Sequence, residues 1–571
     1  MEDIDRGMGN HVSTRRGFVT GAAVAAGAAL AGQALGGRPA RAQEKASTDG
    51  DPNAVPSSWD VETDVVVMGY GYSAMASAIS AAVEGSRVQV FEKAPEQYAG
   101  GNSSVCCGYF NLVSGSGSLD YWKALADGGV SDEECEAVCN ATEQMPDWLV
   151  ENVFPDAVID TYTGKKAVKQ FNGTEYPDAG CKAITIPLEG PGTDKNMGLG
   201  NAMWLAIDKK IRGDYADKIT VNFESPVTHL IFDPSTKEVF GVRVEQGGKE
   251  ICVKASKGVV MACGGFEGNY DMIKDFYLPF YEQYQIGSPY NTGDGIVMLN
   301  EIGARLRHMA AVEYGATCCL EPSRKYNQAI CTHNGGDNAH MVYINQHGKR
   351  FIAENSRWPA HDKRYPYPCF EQELPNLEVT NYPWWMVFDE TRRTKGTIFA
   401  WSNPIRNEGW AAVRGTYQWS DDCTPEIEDG VVLKADSIEE LGKLMGFSDD
   451  DLQAFVDEIA SFNENGANGE DPEFGREETA DEQEEGKMGV TDGPFYAIKC
   501  GLSYLNTNGG GARTVDYQVV DWNNDAIPRL YEAGEFGSIF YHYYSGGGNI
   551  CECFTSGMMC GKNVSALDSW E

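Results

Sequence analysis

The chain has 571 residues, of which 42% are hydrophobic, and this is enough for two domains with sizeable cores. It carries 46 Lys and Arg against 84 Asp and Glu, which gives a formal net charge of −38. This acidity argues against nucleic-acid binding and against adhesion to an anionic membrane surface, so we expect neither kind of partner.

The first 42 residues have the pattern of a twin-arginine export signal. Arg15 and Arg16 precede a Gly- and Ala-rich apolar run that ends in a small-residue cleavage site, Ala40-Arg41-Ala42. Because the run is short and weakly hydrophobic, we interpret residues 1–42 as a removable signal, with an uncleaved anchor as the alternative and no direct membrane span expected. The pattern predicts an exported protein that is periplasmic or associated with the cell surface. The polar segment 43–58 is typical of a linker.

Residues 64–93 have the pattern of a strand, a helix and a second strand. A β-branched run precedes the turn Gly69-Tyr70-Gly71, and alanines at helical spacing follow it. Gly69 permits a tight turn, and Gly71 lets the backbone approach a pyrophosphate at the start of the helix. Glu92 lies about 20 residues further on, where a carboxylate accepts hydrogen bonds from an adenosine ribose. The stretch therefore predicts a dinucleotide-binding unit rather than a plain hydrophobic βαβ unit.

The middle of the chain predicts further helices and a set of short strands. Residues 131–151 are acidic and periodic, which is typical of helices. Four short strand-like runs separated by turn residues predict a β-meander, and they are residues 219–223, 227–232, 239–245 and 251–255. A separate strand that runs into glycines follows at 259–269, and the glycine-containing segment 291–296 opens a helix.

In this order the segments resemble the flavoprotein superfamily of soluble fumarate reductases, urocanate reductase and 3-ketosteroid dehydrogenases, all of which hold FAD. The resemblance runs from about Trp59 to the C-terminus and includes Gly348-Lys349-Arg350-Phe351, the segment 493–497 and the glycine-rich tail. It implies an α/β fold, with an FAD-binding Rossmann-like domain of the glutathione-reductase type and an inserted α+β cap domain. We predict the FAD-binding domain at 59–315 and 477–571 and the cap at 316–476. In the family the cap closes over the substrate and excludes water.

The resemblance also implies non-covalent FAD, since no sequence typical of covalent flavin attachment occurs in the chain. In the tail, peptide N–H groups at the start of the last helix can stabilise the anionic reduced flavin. The residues predicted to bind the cofactor are Gly69, Gly71, Tyr72, Ser73, Ala74, Glu92, Lys93, Gly101, Asn102, Ser103, Gly264, Gly265, Asp294, Glu535, Ser545, Gly548, Asn549 and Ile550.

The chemistry of the family is hydride transfer from reduced flavin to an activated C=C bond, or the reverse. It requires a group that polarises the conjugated carbonyl and an acid that protonates the neighbouring carbon. In the fumarate reductases the acid is an arginine after the Gly348–Glu354 element, and here Arg357 falls one position early while Trp358 occupies the family position. Arg357 is therefore a displaced candidate, and a surface or ion-pairing arginine is the alternative.

The tail departs from the dicarboxylate-binding pattern of the family. Tyr541 and Ser545 stand where the fumarate reductases have a histidine and the arginine that binds the substrate carboxylate. Burial of two carboxylates without a guanidinium partner is costly, so fumarate is disfavoured. The aromatic run 540–544 instead favours a bulky, uncharged or singly charged substrate, although simple core packing is the alternative for each tyrosine.

Steroid-like enones and unsaturated lactones fit such a pocket, and this suggests a relation to secreted cardiac glycoside reductases. Aryl acrylates such as a cinnamate or urocanate stay open as substrates. The catalytic candidates are Arg357, Tyr541, His542, Tyr544 and Tyr496, with Tyr504 as a further proton donor. A 3-ketosteroid dehydrogenase working in the reverse direction and a flavin-binding protein without catalysis are the two other hypotheses.

The sixteen cysteines have no ferredoxin-like spacing, so we do not expect an iron–sulfur cluster, although Cys551, Cys553 and Cys560 prompt that alternative. No C-x-x-C-H haem site occurs, and the eight scattered histidines predict no metal site. Electrons for the flavin must then come from a separate protein, most simply a membrane-associated cytochrome in the same compartment.

Overall fold

The structure is a computed structural model that describes residues 50–570, apart from 109, 111, 116, 164–175, 177, 189–199, 278–281, 333–338, 355–368, 374–377, 400–408, 477–487, 542 and 545–546. The predicted export signal lies outside the described residues. Residues 50–58, the described part of the predicted linker, contain no helix or strand. Asn53 nevertheless attaches this segment to the sheet, because its side-chain amide donates to the Leu230 carbonyl (2.9 Å) and to Glu301 (3.0 Å).

The strands of the described residues are, in chain order, β1 (Val61–Met68), β2 (Val88–Phe91), β3 (Val113–Ser114), β4 (Val158–Thr163), β5 (Gly180–Thr185), β6 (Ile219–Asn222), β7 (Val227–Phe232), β8 (Val239–Gln246), β9 (Lys249–Met261), β10 (Tyr284–Gln285), β11 (Leu306–Arg307), β12 (Val312–Cys319), β13 (Cys331–Thr332), β14 (Met341–Ile344), β15 (Gln372–Glu373), β16 (Glu378–Val379), β17 (Trp384–Phe388), β18 (Val432–Ala435), β19 (Phe495–Thr507), β20 (Gly510–Gly511), β21 (Gln518–Val520) and β22 (Ala526–Glu532).

The α-helices of the described residues are α1 (Tyr72–Val83), α2 (Leu119–Ala126), α3 (Asp132–Asn152), α4 (Gly200–Gly213), α5 (Tyr270–Phe276), α6 (Asp294–Ile302), α7 (Leu320–Tyr326), α8 (Glu390–Thr394), α9 (Trp410–Val413), α10 (Thr424–Glu428), α11 (Ile438–Met445), α12 (Asp449–Gly466) and α13 (Gly548–Ser565). No helix in the described part of the chain combines the length and the apolar character that crossing a membrane requires.

The first sheet has eight strands, and five of them run parallel in the order β22-β9-β1-β2-β6. The β-branched run at 65–67 lies in β1 and is fully buried, as expected for a parallel strand that is covered on both faces. Helix α1 connects β1 to β2, which confirms the predicted strand, helix and strand at 64–93. The parallel sheet with its crossover helix is the Rossmann-like arrangement that the resemblance implied.

The first and last helices of the described chain pack closely against each other. A Cβ atom on Gly557 would lie 2.6 Å from the Ser73 carbonyl oxygen, and one on Gly561 would lie 2.3 Å from that of Ser77. Both positions therefore require glycine. The Ser80 hydroxyl also donates to the backbone of α13 (2.7 Å). The C-terminal helix is thus fixed directly beneath the glycine turn that starts α1.

Three of the four predicted meander strands form the meander, and the last of them is longer than predicted. The first, residues 219–223, was wrongly assigned, because β6 pairs parallel with β2. Strands β7, β8 and β9 pair antiparallel. β9 continues through residues 256–258 to Met261, so the runs predicted as two separate strands form one strand of 13 residues. Its first half pairs with β8, and its end pairs with β22. One strand therefore joins the meander to the parallel sheet.

The second sheet has seven strands, and β19 is at its centre. β12, β17 and β18 pair antiparallel with β19, and short β10 pairs parallel with it. Residues 495–507, which the sequence assigned to the cofactor domain, therefore lie in the same sheet as strands of the predicted cap. The exact boundaries between the two domains stay a prediction.

Candidate active site

An open cleft lies at the carboxyl ends of β1, β2 and β9. This is where ligands bind in open parallel sheets. Many of the predicted cofactor residues line it, namely Gly69, Gly71, Ser73, Glu92, Lys93, Gly101, Asn102, Ser103, Gly264, Asp294 and Glu535.

Gly69 makes the turn out of β1, and no other residue fits there. Its φ is +95°, and a Cβ atom would lie 2.4 Å from the Ala262 carbonyl oxygen. Helix α1 then begins at Tyr72, whose backbone N–H donates to the Ser103 hydroxyl (2.9 Å). The N–H groups of Ser73 and Ala74 have no intrahelical acceptor by position, so they supply the positive helix end that binds a phosphate.

Glu92 and Lys93 follow β2 at the edge of the cleft. Burial raises the pKa of Glu92, while its Oε1 atom accepts the Ala94 N–H (2.7 Å). Lys93 Nζ donates to the Asp294 carboxylate (2.6 Å) and to the Thr292 hydroxyl (2.5 Å). Lys93 therefore fixes the start of α6 against β2, which is a structural role besides the predicted contact with the cofactor.

Two buried carboxyl groups lie side by side in the wall of the cleft. Glu267 accepts hydrogen bonds from the Asn102 and Asn291 side-chain amides (2.7 and 2.6 Å). Glu535 accepts the Gly265 N–H (2.9 Å). Sequence reasoning missed Glu267 and Asn291, although each lies within a predicted glycine-rich segment.

Some predicted cofactor residues do not line the cleft with their side chains. The Tyr72 ring is buried against Phe554, with its hydroxyl donating to the Gly200 carbonyl (2.6 Å), and the Ala74 side chain lies in the core. The Gly265 N–H donates to Glu535. A larger residue does not fit at this position, since a Cβ atom would lie 2.3 Å from the Thr507 hydroxyl oxygen. The predicted contacts of these residues are therefore available only to their backbone groups.

Helix α13 begins at Gly548, as the sequence predicted, and Asn549 and Ile550 form its first turn. The Asn549 N–H donates to the Tyr544 hydroxyl oxygen (3.1 Å). Asn549 Oδ1 is buried and has no hydrogen-bond partner among the described residues. Such an orphaned acceptor beside a helix start fits a ligand that brings its own donor. Ser545 lies outside the described residues.

The catalytic candidates are spread over the molecule, and two of them, Arg357 and His542, lie outside the described residues. Tyr541 stacks on His308, with the ring centroids 5.1 Å apart. The His308 ring nitrogens lie near the Ser538 and Gly129 carbonyl oxygens (2.8 and 3.1 Å). Burial lowers the pKa of His308 to about 4, so this ring is neutral at pH 7.

Tyr496 is not in the cleft. It lies at the start of β19 in the second sheet, about 35 Å along the strand from Thr507, which contacts Glu267. Its hydroxyl donates to Glu390 (2.6 Å), and its ring stacks on Phe388. This placement argues against the predicted role of Tyr496 as a proton donor at the flavin, and it indicates a structural role. Tyr504 is buried closer to the cleft, and its hydroxyl donates to the Gln283 carbonyl (3.4 Å).

A buried network of charges lies behind the loop that carries Tyr541. Arg307 donates to Glu134 (2.7 Å) and to the Gly537 carbonyl (2.6 Å). Arg513 donates to Glu134 (3.3 Å) and to Glu552 (2.5 Å). Burial opposes the ionisation of Glu134, but the two guanidinium charges outweigh it and hold its pKa below the usual value. Both arginines are therefore already paired with carboxylates of the protein.

The cysteines and the acidic residues are the remaining candidates for metal ligation. Among the described residues, no group of three or more His, Cys, Asp or Glu side chains is arranged to hold a metal ion. Cys551 lies against the Thr142 and Thr555 hydroxyls, and the Cys560 thiol donates to the Glu532 carbonyl. Burial raises the pKa of both thiols.

The chain is similar to a known family and to several known proteins. Residues 64–550 match the family model described as the FAD binding domain. A digoxin reductase of Eggerthella lenta is 26% identical over 606 aligned positions, which cover 100% of this chain and 99% of that protein. A 3-oxosteroid 1-dehydrogenase of Mycolicibacterium smegmatis is 30% identical over 327 positions, which cover 55% of this chain and 53% of that protein. The resemblance inferred from the sequence is confirmed.

Solved structures of the same fold include a 3-ketosteroid Δ1-dehydrogenase from Sterolibacterium denitrificans, with a TM-score of 0.70 and 20% identity over 88% of this chain and 99% of that one. A flavocytochrome c3 fumarate reductase in an open conformation has a TM-score of 0.61 and 21% identity over 89% of this chain and 78% of that one. These similarities show the shared fold.

The residues of the cleft fit the group that the family model names. The glycine turn and the start of α1 fit a diphosphate, and Glu92 lies at the position for a ribose. At the start of α13, the Asn549 side-chain oxygen, which has no hydrogen-bond partner among the described residues, fits a ring with a hydrogen-bond donor. When bound, FAD supplies a carrier that accepts and releases hydride.

Proposed function

We propose, from the premise that this chain belongs to the FAD binding domain family and is an FAD-dependent oxidoreductase, that it reduces an activated C=C bond of a bulky substrate. The proposed substrate class is a steroid-like enone or an unsaturated lactone. The proposal adds a direction and a substrate class to the family assignment, and it rests on residues at the start of α13.

The observation that carries the proposal is the position of Tyr544. This side chain is buried at the start of α13, and its hydroxyl oxygen accepts the Asn549 N–H (3.1 Å). Burial raises the pKa of Tyr544 well above its usual value, so the phenol keeps its proton across the physiological range. A protonated phenol can donate to an enone or lactone carbonyl, or protonate the carbon next to it.

The charges near this loop support an uncharged substrate. Arg307 and Arg513 are committed to Glu134, Glu552 and a backbone carbonyl. Positions 541 and 545 carry Tyr and Ser in place of a histidine and an arginine. A dicarboxylate would therefore meet no available guanidinium from these residues, and its burial would be costly.

The relatives support the substrate class. One relative that aligns over the whole chain is a digoxin reductase, and digoxin is a steroid that carries an unsaturated lactone. A partial relative is a 3-oxosteroid 1-dehydrogenase, which favours the reverse reaction as the second candidate. An aryl acrylate or urocanate type of substrate is a further alternative, and a flavin-binding protein without catalysis is the last.

Export by the twin-arginine route and reduction by a membrane-associated cytochrome belong to the same proposal. The pattern Arg15-Arg16 with its apolar run and cleavage site supports the export route. An exported oxidoreductase cannot draw on cytoplasmic nicotinamide cofactors, so an electron-carrying protein in its own compartment is the simplest donor. The formal net charge of −38 favours a basic partner, and we therefore expect the electron-transfer rate to fall with salt.

The test is reoxidation of the dithionite-reduced protein under anaerobic conditions. The panel contains fumarate, urocanate, cinnamates, steroid enones and cardenolides. Fast reoxidation by a steroid enone or a cardenolide, and slow reoxidation by fumarate, supports the proposal. Oxidation of a 3-ketosteroid with an artificial acceptor and no reoxidation by any panel member would instead establish the dehydrogenase. No reaction in either direction would leave a binding protein.

A further inference from the structure

Glu267 belongs to the wall of the cleft, where it lies behind two lining residues and accepts hydrogen bonds from both. It is 2% exposed and follows the Gly264-Gly265 turn after β9. One oxygen, Oε1, accepts both the Asn102 Nδ2–H (2.7 Å) and the Asn291 Nδ2–H (2.6 Å). The other, Oε2, accepts the Thr507 hydroxyl (3.2 Å). The carboxyl group thereby fixes the orientation of two side-chain amides at the edge of the cofactor site.

The same two amides also contact Glu535, which lines the cleft. Glu535 Oε1 lies 3.2 Å from Asn291 Nδ2 and 3.3 Å from Asn102 Nδ2, besides its bond to the Gly265 N–H. Two buried carboxyl groups are therefore bridged by two side-chain amides. Every donor in the bridge is electrically neutral, and in the described part of the chain no Lys, Arg or His forms an ion pair with either carboxyl group.

The titratable groups that face this pair from neighbouring elements add no positive charge. Tyr504 on β19 faces Glu267, and Cys553 on α13 faces Glu535, and burial raises the pKa of each. Asp294 on α6 is paired with Lys93. Burial raises the pKa of Glu267, and burial together with the charge of Glu267 raises that of Glu535 well above its usual value. Two adjacent buried carboxylates cannot both ionise at neutral pH without a cation.

We propose that Glu267 and Glu535 share one proton, and that Glu267 is a positioning residue that makes FAD binding dependent on this proton. With one proton in the pair, the cleft wall carries a single negative charge when the dianionic diphosphate of FAD binds. Loss of the proton places a second negative charge in a low-dielectric wall and also weakens the orientation of Asn102 and Asn291. Release of FAD is therefore coupled to deprotonation of the pair. This coupling concerns cofactor binding alone and is independent of the proposed substrate.

The experiment measures the FAD dissociation constant of the apoprotein by flavin fluorescence between pH 6 and 9.5. In the wild type, the constant should be level at low pH and then rise up to about tenfold per pH unit once the pair loses its proton, because one proton is linked to binding. Glu267→Gln keeps the acceptor oxygen but cannot ionise. Its FAD affinity at pH 6.5 should lie within about threefold of the wild type, and the alkaline rise should be absent.

Two further variants separate charge from orientation. Glu267→Ala removes the nearer acceptor of both amides and leaves only the longer contacts to Glu535, so its FAD affinity should be at least about tenfold weaker at every pH. Glu301→Gln is the matched control, because the Glu301 carboxylate also accepts an Asn side-chain amide, that of Asn53 (3.0 Å), on the meander side of the sheet. It has the same net charge as Glu267→Gln and should keep the alkaline rise of the wild type.

The proposal is overturned if wild-type FAD binding is independent of pH across this range, or if Glu267→Gln keeps the alkaline rise. If Glu267→Gln does not fold, Glu535→Gln removes the other member of the pair and must abolish the rise in the same way. Persistence of the rise in Glu535→Gln would equally refute the shared proton.

Discussion

Two groups of buried carboxyl groups in this protein differ in what neutralises them. The network behind the C-terminal loop pairs Glu134 and Glu552 with the guanidinium groups of Arg307 and Arg513. The pair in the cleft wall, Glu267 with Glu535, has only side-chain amides, a hydroxyl and a backbone N–H around it. The ion pairs of the network join α3 to α13, whether or not a ligand occupies the cleft. The pair at the cleft can gain or lose a proton inside a ligand site, and such sites are where perturbed pKa values are most often found.

The paired network connects parts of the chain that are far apart in sequence. Arg513 lies between Glu134 at the start of α3 and Glu552 in the first turns of α13, and its side chain is fully buried. If one charged residue of the network is removed, its partners stay buried with an uncompensated charge. The resulting loss of folding stability is larger than the net stability that the intact ion pairs contribute. The comparison therefore predicts a large loss of stability from the network and a small one from the cleft pair.

The largest expected effect is on the paired network. Arg513→Leu should lower the free energy of unfolding by about 3–5 kcal/mol, since Glu134 and Glu552 lose their shared cation. Urea denaturation of the apoprotein at pH 7 measures this change. Arg87→Leu is the control, because its ion pair with Asp64 is on the surface with the arginine side chain 67% exposed, and it should cost less than about 1 kcal/mol. Equal effects of the two variants would contradict the comparison.

The cleft can be disturbed next without any change of charge. Gly69→Ala should abolish FAD retention, because the new Cβ atom would overlap the Ala262 carbonyl oxygen. Gly85→Ala is a matched control: its φ is +94°, close to +95° for Gly69, but nothing lies within 4 Å of its added Cβ atom. It should cost about 1–2 kcal/mol of stability and keep FAD. The flavin-to-protein absorbance ratio after gel filtration distinguishes the two. A Gly69→Ala protein with full flavin would contradict the close approach.

The buried phenol of Tyr544, next to the start of α13, gives the third prediction. Tyr544→Phe removes the phenol but keeps the ring, so flavin content should be unchanged while reoxidation by an accepted substrate slows by about 10²-fold or more. Tyr496→Phe, at the far end of β19, should leave that rate unchanged. Stopped-flow reoxidation at saturating substrate measures both variants. If Tyr544→Phe keeps the full rate of reoxidation, the proton donor is another residue.

The final prediction is a pH dependence of stability, and it concerns a carboxyl group beside the paired network. Glu532 is buried beside Arg307 and Arg513, yet neither carboxyl oxygen has a hydrogen-bond partner among the described residues, and burial raises its pKa to about 8. The folded state therefore keeps a proton that the unfolded chain releases above about pH 4.5. The contribution of Glu532 to the free energy of unfolding is therefore fully present below that pH. It falls by about 1.4 kcal/mol per pH unit as the pH rises toward 8.

The measurement for Glu532 is urea denaturation of the wild type and Glu532→Gln at several values between pH 5 and 8. Subtraction of the two curves removes the contributions of all other groups. The stability of the wild type relative to the variant should decline with pH over this window and level off above it. A constant difference would show that the Glu532 carboxyl is already ionised at neutral pH.

The sequence predicted the parallel unit well, because local signals define it. The β-branched run, the glycine turn and the acid at Glu92 can each be recognised from residues that are close together in the sequence. The start of α13 was predicted for the same reason, since Gly548 and Asn549 follow a glycine-rich turn. The meander was predicted with one strand too many, because residues 219–222 pair with the parallel strand β2. Strand β9 was divided in two because the run Ser-Lys-Gly at 256–258 carries no strand signal.

The site was less predictable where partners come from distant segments. Nothing next to Glu267 in the sequence indicates that it contacts Asn102 and Asn291, which lie far from it along the chain. Tyr496 was selected from its segment, but the direction of β19 in the second sheet sets its distance from the cleft. Lys93 was expected to contact the cofactor, and its ion pair with Asp294 depends on the packing of α6 against β2.

The close contact between α1 and α13 has a consequence for biosynthesis. The glycine turn is translated early, whereas Glu535 and Cys553, which line the same cleft, come from near the end of the chain. A nascent chain that lacks the last helix therefore has only part of the cleft. We expect FAD to bind only after the residues through Cys553 have been synthesised and have folded.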